Sequence, residues 1–243
     1  MVTPVPVTGD PRPLEEIERI LLAGMGRFED ACLEHVPFWR GSQSITYIPE
    51  SCFVTYFSWA LINEGFAVFN EQSVCPKPSG EGQTVISSKG SKNTERFDLV
   101  AMRRSRLTHK SIQLKVEAKG NLESGYEAIL ADIGRMKRCT FYPGMRRADQ
   151  VTDDDEAGFA HHFNIVITQN WGLEELTEWW RDDAQVAPRH KGNNDYRTAP
   201  GWGKLKETLC NARRGVMPVL DLGYGYSIDV LYAIFGDSPV AAG

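Results

Sequence analysis

The sequence predicts an α/β fold, with helices packed on a mixed β-sheet. Three observations carry that prediction. Residues 96–119 alternate apolar and polar positions in two runs, the pattern of paired strands. Glu123 to Cys139 repeats Tyr126, Ile129, Leu130, Ile133 and Met136 at helical spacing. Phe163 to Thr168, FNIVIT, is nearly continuous in apolar residues, which suits a central strand covered on both faces. A helix before that strand implies a crossover into the sheet. The order of helix, strand, paired strands, helix and strand is that of an α/β sandwich around a central mixed sheet flanked by helices.

Each element has its own justification. Met1 to Pro13 is Pro-rich, lacks the apolar core of a signal peptide, and is expected to form a loose arm. Leu14 to His35 reads as a helix through Leu14, Ile17, Ile20, Leu21, Met25 and Phe28, weakened by Gly24 and Gly26. Pro37 to Thr46 reads as a loop. Pro49 to Glu64 is a second helix, with proline at its start, Phe53, Phe57, Ala60 and Leu61 as its apolar stripe, and Gly65 closing it. Phe66 to Phe69 is a strand. Cys75 to Thr94 is a polar, Gly-rich loop carrying Lys77, Lys89 and Lys92, with a short strand at Thr84 to Ser87.

Beyond the central helix, Tyr142 to Gly158 is a loop. Its acidic run, Asp153 to Glu156, lacks the alternating oxygen ligands and turn glycine of an EF-hand. Gly172 to Asp183 is a helix whose Trp179 and Trp180 are expected in the core. Ala184 to Gly201 is a polar loop with Arg189, His190, Lys191 and Arg197. Trp202 to Arg214 is a helix, followed by strands at Val216 to Leu222 and Ser227 to Phe235. No repeat and no break in composition marks a second domain. Residues 1–48 read as an arm and helix packed on the core, 49–170 as the core, and 171–243 as an extension of the same domain.

The 243 residues carry 42% hydrophobic and 24% charged residues, ordinary for a globular protein. A net charge of −5 argues against a general nucleic-acid coat, but not against basic groups local to a cleft. The five cysteines are scattered and contain no Cys-x-x-Cys pair, so neither a zinc ribbon nor a disulfide framework is expected. A reducing, cytoplasmic setting fits that usage. No apolar run is long enough to span a bilayer, so no membrane association is expected.

The chemistry concentrates in the paired strands. Ile112, Leu114, Val116 and Ala118 share one face of the second strand; Gln113, Lys115, Glu117 and Lys119 share the other. Phe97, Leu99 and Ala101 alternate with Arg96 and Asp98 on the first, although Val100 breaks the pattern. The tip is expected at Arg103 to Lys110. A turn centred between Leu107 and Thr108 sets Asp98 across from Glu117, at roughly 4.5–5.5 Å between Cβ atoms. Two carboxylates there repel unless a cation stands between them, and a divalent metal suits oxygen ligands. Lys119, on the same face, offers a point charge to a phosphate or a water. The ordinary alternative is a charged strand face turned to solvent. At the tip, Arg103, Arg104, Arg106, His109 and Lys110 form the densest basic cluster. Such residues contact phosphates or guard edge strands, and charge pattern alone does not choose between these.

Asp98 followed by Glu117-Ala118-Lys119 resembles the PD-(D/E)XK phosphodiesterase superfamily, over Pro49 to Thr168. Phe97 stands where the family often has proline. The resemblance implies a restriction-endonuclease-like fold and a metal-dependent nuclease acting on nucleic acid, expected to be DNA. It implies Mg2+ or Mn2+ held by Asp98 and Glu117, with Lys119 assisting the attacking water. By the same resemblance the backbone carbonyl of Ala118 is a further ligand. In the family a helix at this place can add a metal-site acid. Glu50 is the candidate, and Glu71, after the following strand, is a weaker rival; a first-turn acid favoured by the helix dipole is the ordinary alternative for Glu50. Arg135, on the helix after the catalytic strands, becomes a phosphate contact beside Arg103, Arg104 and Arg106. A homodimer is compatible with double-strand cutting. The alternative is a catalytically silent nucleic-acid-binding or assembly module on the same fold. A hydrolase of another kind is disfavoured, because neither a Gly-x-Ser-x-Gly elbow nor a P-loop is present.

Overall fold

The computed structural model describes residues 12–40, 49–73, 75–76, 96–104, 111–140, 161–171, 174–181, 200–223 and 226–236. Within them a six-stranded mixed sheet is packed between helices on both faces. The helices are α1 (Arg12–Arg40), α2 (Glu50–Asn63), α3 (Leu122–Arg138), α4 (Glu174–Arg181) and α5 (Pro200–Leu209). The strands are β1 (Ala67–Ser73), β2 (Cys75–Pro76), β3 (Arg96–Arg104), β4 (Ser111–Lys119), β5 (Cys139–Thr140), β6 (His161–Trp171), β7 (Arg213–Gly223) and β8 (Tyr226–Gly236). The large sheet runs β1-β3-β4-β6-β8-β7. The β4–β6 pair is parallel and its other pairs are antiparallel. Helix α3 makes the crossover that a parallel pair requires.

Alternation sorts the strand residues between two cores. Leu114, Val116 and Ala118 of β4 and Ile165 and Ile167 of β6 pack under α1 and α2, against Ile17, Leu21, Phe53 and Phe57. On the opposite face, Val166, Leu231 and Ala233 pack under α3, α4 and α5, against Ile133, Trp180 and Trp202. All six residues of the FNIVIT run are buried, as a central strand requires. Trp179 and Trp180 lie in the second core, with the Trp180 indole donating to the Tyr232 carbonyl at 3.0 Å.

Several boundaries differ from those expected. Helix α1 runs through Pro37 to Arg40, where a loop was expected. A proline removes one backbone donor, which disfavours a helix without forbidding it. Strand β1 extends to Ser73 rather than ending at Phe69, because β3 offers partners as far as Arg96. A small two-stranded sheet, Cys75↔Thr140 and Pro76↔Cys139, gave no periodic signal, since two residues are too short to show one. Arg103 and Arg104 belong to β3 rather than to the hairpin tip. Arg106, the Thr84 to Ser87 strand, the acidic run and the Ala184 to Ala199 stretch lie outside the described residues. Gly65 has φ +81°, the conformation that closes α2 and turns the chain into β1. Among the described residues, no helix is long and apolar enough to cross a membrane.

Candidate functional site

The end of β4 gathers the acidic residues. The register of β3 on β4 pairs Leu99 with Val116 and Ala101 with Leu114. Continued by one residue, it sets Asp98 opposite Glu117, the register expected from the sequence. There the ladder opens. The backbone N–H of Ala118 donates to Asp98 Oδ2 at 2.7 Å, and the N–H of Gly120 donates to Glu50 Oε1 at 2.8 Å. Alternate backbone N–H groups along β4 point toward β3, and at the strand's end carboxylates take them instead. Glu50 reaches Gly120 from the first turn of α2, 70 residues earlier in the chain.

The Glu117 side chain lies on the face of β4 that α3 covers. This face of β4 is not turned to solvent. Gln113, Lys115 and Glu117 are all buried, and the Glu117 side chain is 1% exposed. Lys115 donates to the Met136 carbonyl at 2.6 Å. Glu117 is ion-paired with Arg135. Lys119 Nζ lies 2.8 Å from Asp132 Oδ2, and Arg135 lies 2.9 Å from Asp132 Oδ1. Arg135 also stands over the Phe97 ring, at 5.9 Å.

Charge is unevenly compensated in this cluster. Burial, and then the charges of Asp98 and Asp132, push the Glu117 carboxyl up to about 8, against the pull of Arg135. Burial works against the charged form of Lys119. The close contact and charge of Asp132, followed by the charges of Asp98 and Glu117, more than offset it and raise the lysine. Lys119 is therefore a cation at neutral pH, suited to orient a water or stabilise an anion rather than to accept a proton.

Not every expected site residue joins this cluster. Glu71 is paired with Arg96 at 3.4 Å, and its side chain is 78% exposed, turned away from β4. Its φ of +49° lies in the left-handed region, unusual for a residue other than glycine. Arg103 is held by Glu16 of α1 at 2.7 Å and by the Glu64 carbonyl at 3.3 Å, on the α1–α2 side of the sheet. Its guanidinium is held there, away from the acidic end of β4. Arg135 turns inward to two carboxylates instead of outward from the end of its helix. Asp132 was not anticipated. Its one signal in the sequence is a charged residue inside the Ile129–Ile133–Met136 stripe of α3.

Among the described residues, no three His, Cys, Asp or Glu side chains stand close enough together to hold a metal ion. Glu50 and Asp98 are engaged by backbone N–H groups and Glu117 by Arg135. Carboxylates are the donor type a hard divalent cation takes, but in this arrangement each of the three is occupied by an N–H or guanidinium donor. Comparison with family models, with curated proteins and with solved structures finds no match to the chain.

Proposed function

We propose that the protein is a metal-dependent nuclease with a restriction-endonuclease-like architecture, hydrolysing phosphodiester bonds, with DNA as the expected substrate. The observation that supports this reading is the gathering of Asp98, Glu117, Lys119 and Glu50 at one end of β4. Asp98 and Glu117 would hold Mg2+ or Mn2+, with Glu50 and the Ala118 carbonyl as further ligands. The bound metal supplies Lewis-acid stabilisation of phosphate charge and an acidified water. For Glu117 to serve as a ligand, its contact with Arg135 must loosen. Arg135 keeps a carboxylate partner in Asp132 when it does so. Lys119, held as a cation, orients the attacking water and faces the charge that develops on the phosphate.

A second reading has its own observation. Lys119 and Arg135 already neutralise part of the acidic cluster, and a closed ion-pair network is what a silent binding or assembly module on this fold would keep.

The test is cleavage of plasmid, linear duplex and single-stranded substrates with and without Mg2+, by the parent and by Lys119→Met. Loss of one electrostatic group of this kind costs about 100- to 1000-fold in rate. Lys119→Met is expected to show that loss while retaining magnesium binding. It also deprives Asp132 of one cation, so its stability cost exceeds that of a surface exchange, and rates are compared below its melting temperature. Full cleavage by folded Lys119→Met removes Lys119 from the mechanism. Nucleic-acid binding without cleavage by the parent selects the module.

A further inference from the structure

We infer that Asp132 is the positioning residue of this site, setting Lys119 and Arg135 on either side of Glu117; the inference rests on the hydrolytic reading above. Asp132 occupies a core position of α3, 6% exposed, flanked by the buried Ile129, Ile133 and Met136. A carboxylate in such a place is costly unless fully paired, and an apolar side chain of similar volume is often as stable or more so. Packing therefore does not call for a carboxylate here. Both of its oxygens face a cation, Oδ2 the Lys119 ammonium at 2.8 Å, an ion pair outside hydrogen-bonding angles, and Oδ1 Arg135 at 2.9 Å. Arg135 in turn reaches Glu117.

The two strand residues and the two helix residues thus form a chain of alternating charge: Lys119, Asp132, Arg135, Glu117. A lysine is a point charge on a flexible four-carbon stem and does not hold a position unaided. Asp132 supplies the second fixed point. It reaches Lys119 from a different element, so the ammonium is located relative to both α3 and the end of β4. Asp132 touches neither substrate nor reacting atoms in this scheme; it acts through Lys119.

The experiment compares the parent with Asp132→Asn, which keeps shape but removes charge, and with Asp132→Leu, which completes the apolar stripe. The first readout needs no activity: the 15N-detected ammonium resonance of Lys119, assigned by its loss in Lys119→Met. It is expected in the parent and expected to vanish or shift in both variants; an unchanged resonance overturns the inference. The second readout is metal-dependent cleavage. At saturating Mn2+ the turnover rate is expected to fall about 10- to 100-fold, the range for outer groups that orient a metal site, with substrate KM retained. Undiminished turnover at saturating Mn2+ in either folded variant overturns the proposal, as does a loss that saturating Mn2+ fully restores, which would confine Asp132 to drawing Arg135 off Glu117. A parent that cleaves no nucleic acid and binds no Mn2+ overturns the hydrolytic reading, and the catalytic role of Asp132 falls with it. The ammonium resonance then still reports whether Asp132 fixes Lys119.

Discussion

Glu117 sits on a strand buried on both faces, so its charge is held where little water reaches. Burial and the neighbouring carboxylates raise it from the ordinary 4.5 to about 8. The consequence for stability has a definite sign. A carboxyl raised in the folded protein favours folding fully below the ordinary value, and that contribution is lost as pH rises through about 8. In metal-free buffer, urea midpoints of the parent are therefore expected to decline between the two values, and Glu117→Gln to flatten the decline. An equally steep profile in the variant would show that other groups cause it. Asp98 plays a different part, because its Oδ2 takes the N–H of Ala118. Asn keeps a carbonyl oxygen for that bond, so Asp98→Asn is expected to fold as well as the parent. It is also expected to lose the magnesium-dependent rise in melting temperature that binding to the native state confers. Equal shifts in parent and variant would count against Asp98 as a ligand.

Helices α1 and α2 show how the same residue type acts in opposite ways within one element. Gly24 and Gly26 both lower helix propensity, by about 1 kcal/mol each relative to alanine. At Gly24 an added Cβ would lie 2.9 Å from the Tyr56 carbonyl and 3.2 Å from the Phe57 Cα, both backbone atoms of α2. The helices would have to part, and overpacking of this kind typically costs about 1–3 kcal/mol. At Gly26 the nearest atom, Met217 Cε, is 3.9 Å away. Gly24→Ala is expected to destabilise the protein and Gly26→Ala to stabilise it by about 1 kcal/mol, both read from chemical denaturation. The same sign for both would mean that propensity, not the α1–α2 contact, governs this helix. The crossing matters to the site because α2 carries Glu50 to Gly120.

At the scale of the whole molecule, the site lies on an interior strand of the sheet. Strands β3, β4, β6 and β8 have a partner on each side, whereas β1 and β7 are edges. Amides that open only with the whole fold exchange slowest. Hydrogen exchange is therefore expected to be slowest in β4, β6 and β8 and faster in β1 and β7. Fast exchange across β4 would show that the site rests on a locally unstable strand.

Much of this architecture was legible in the sequence for a local reason. Side-chain periods of two and 3.6 report burial on one face, so α2, α3, β6 and the β3–β4 hairpin announce themselves within a few residues of their ends. The hairpin register was legible too, because two alternating runs joined by a short polar turn admit few pairings, and Leu99↔Val116 follows the expected one. That register brought Asp98, Glu117 and Lys119 into one reading. The sequence could not say which charges meet through space. Glu50 reaches Gly120 across 70 positions, and Arg103 reaches Glu16 across 87. Arg135 and Asp132 turn onto β4 only because α3 lies across that face of the sheet. A period describes one element's own two sides; the partner on each side is chosen by how the elements stack, and only the tertiary structure decides that.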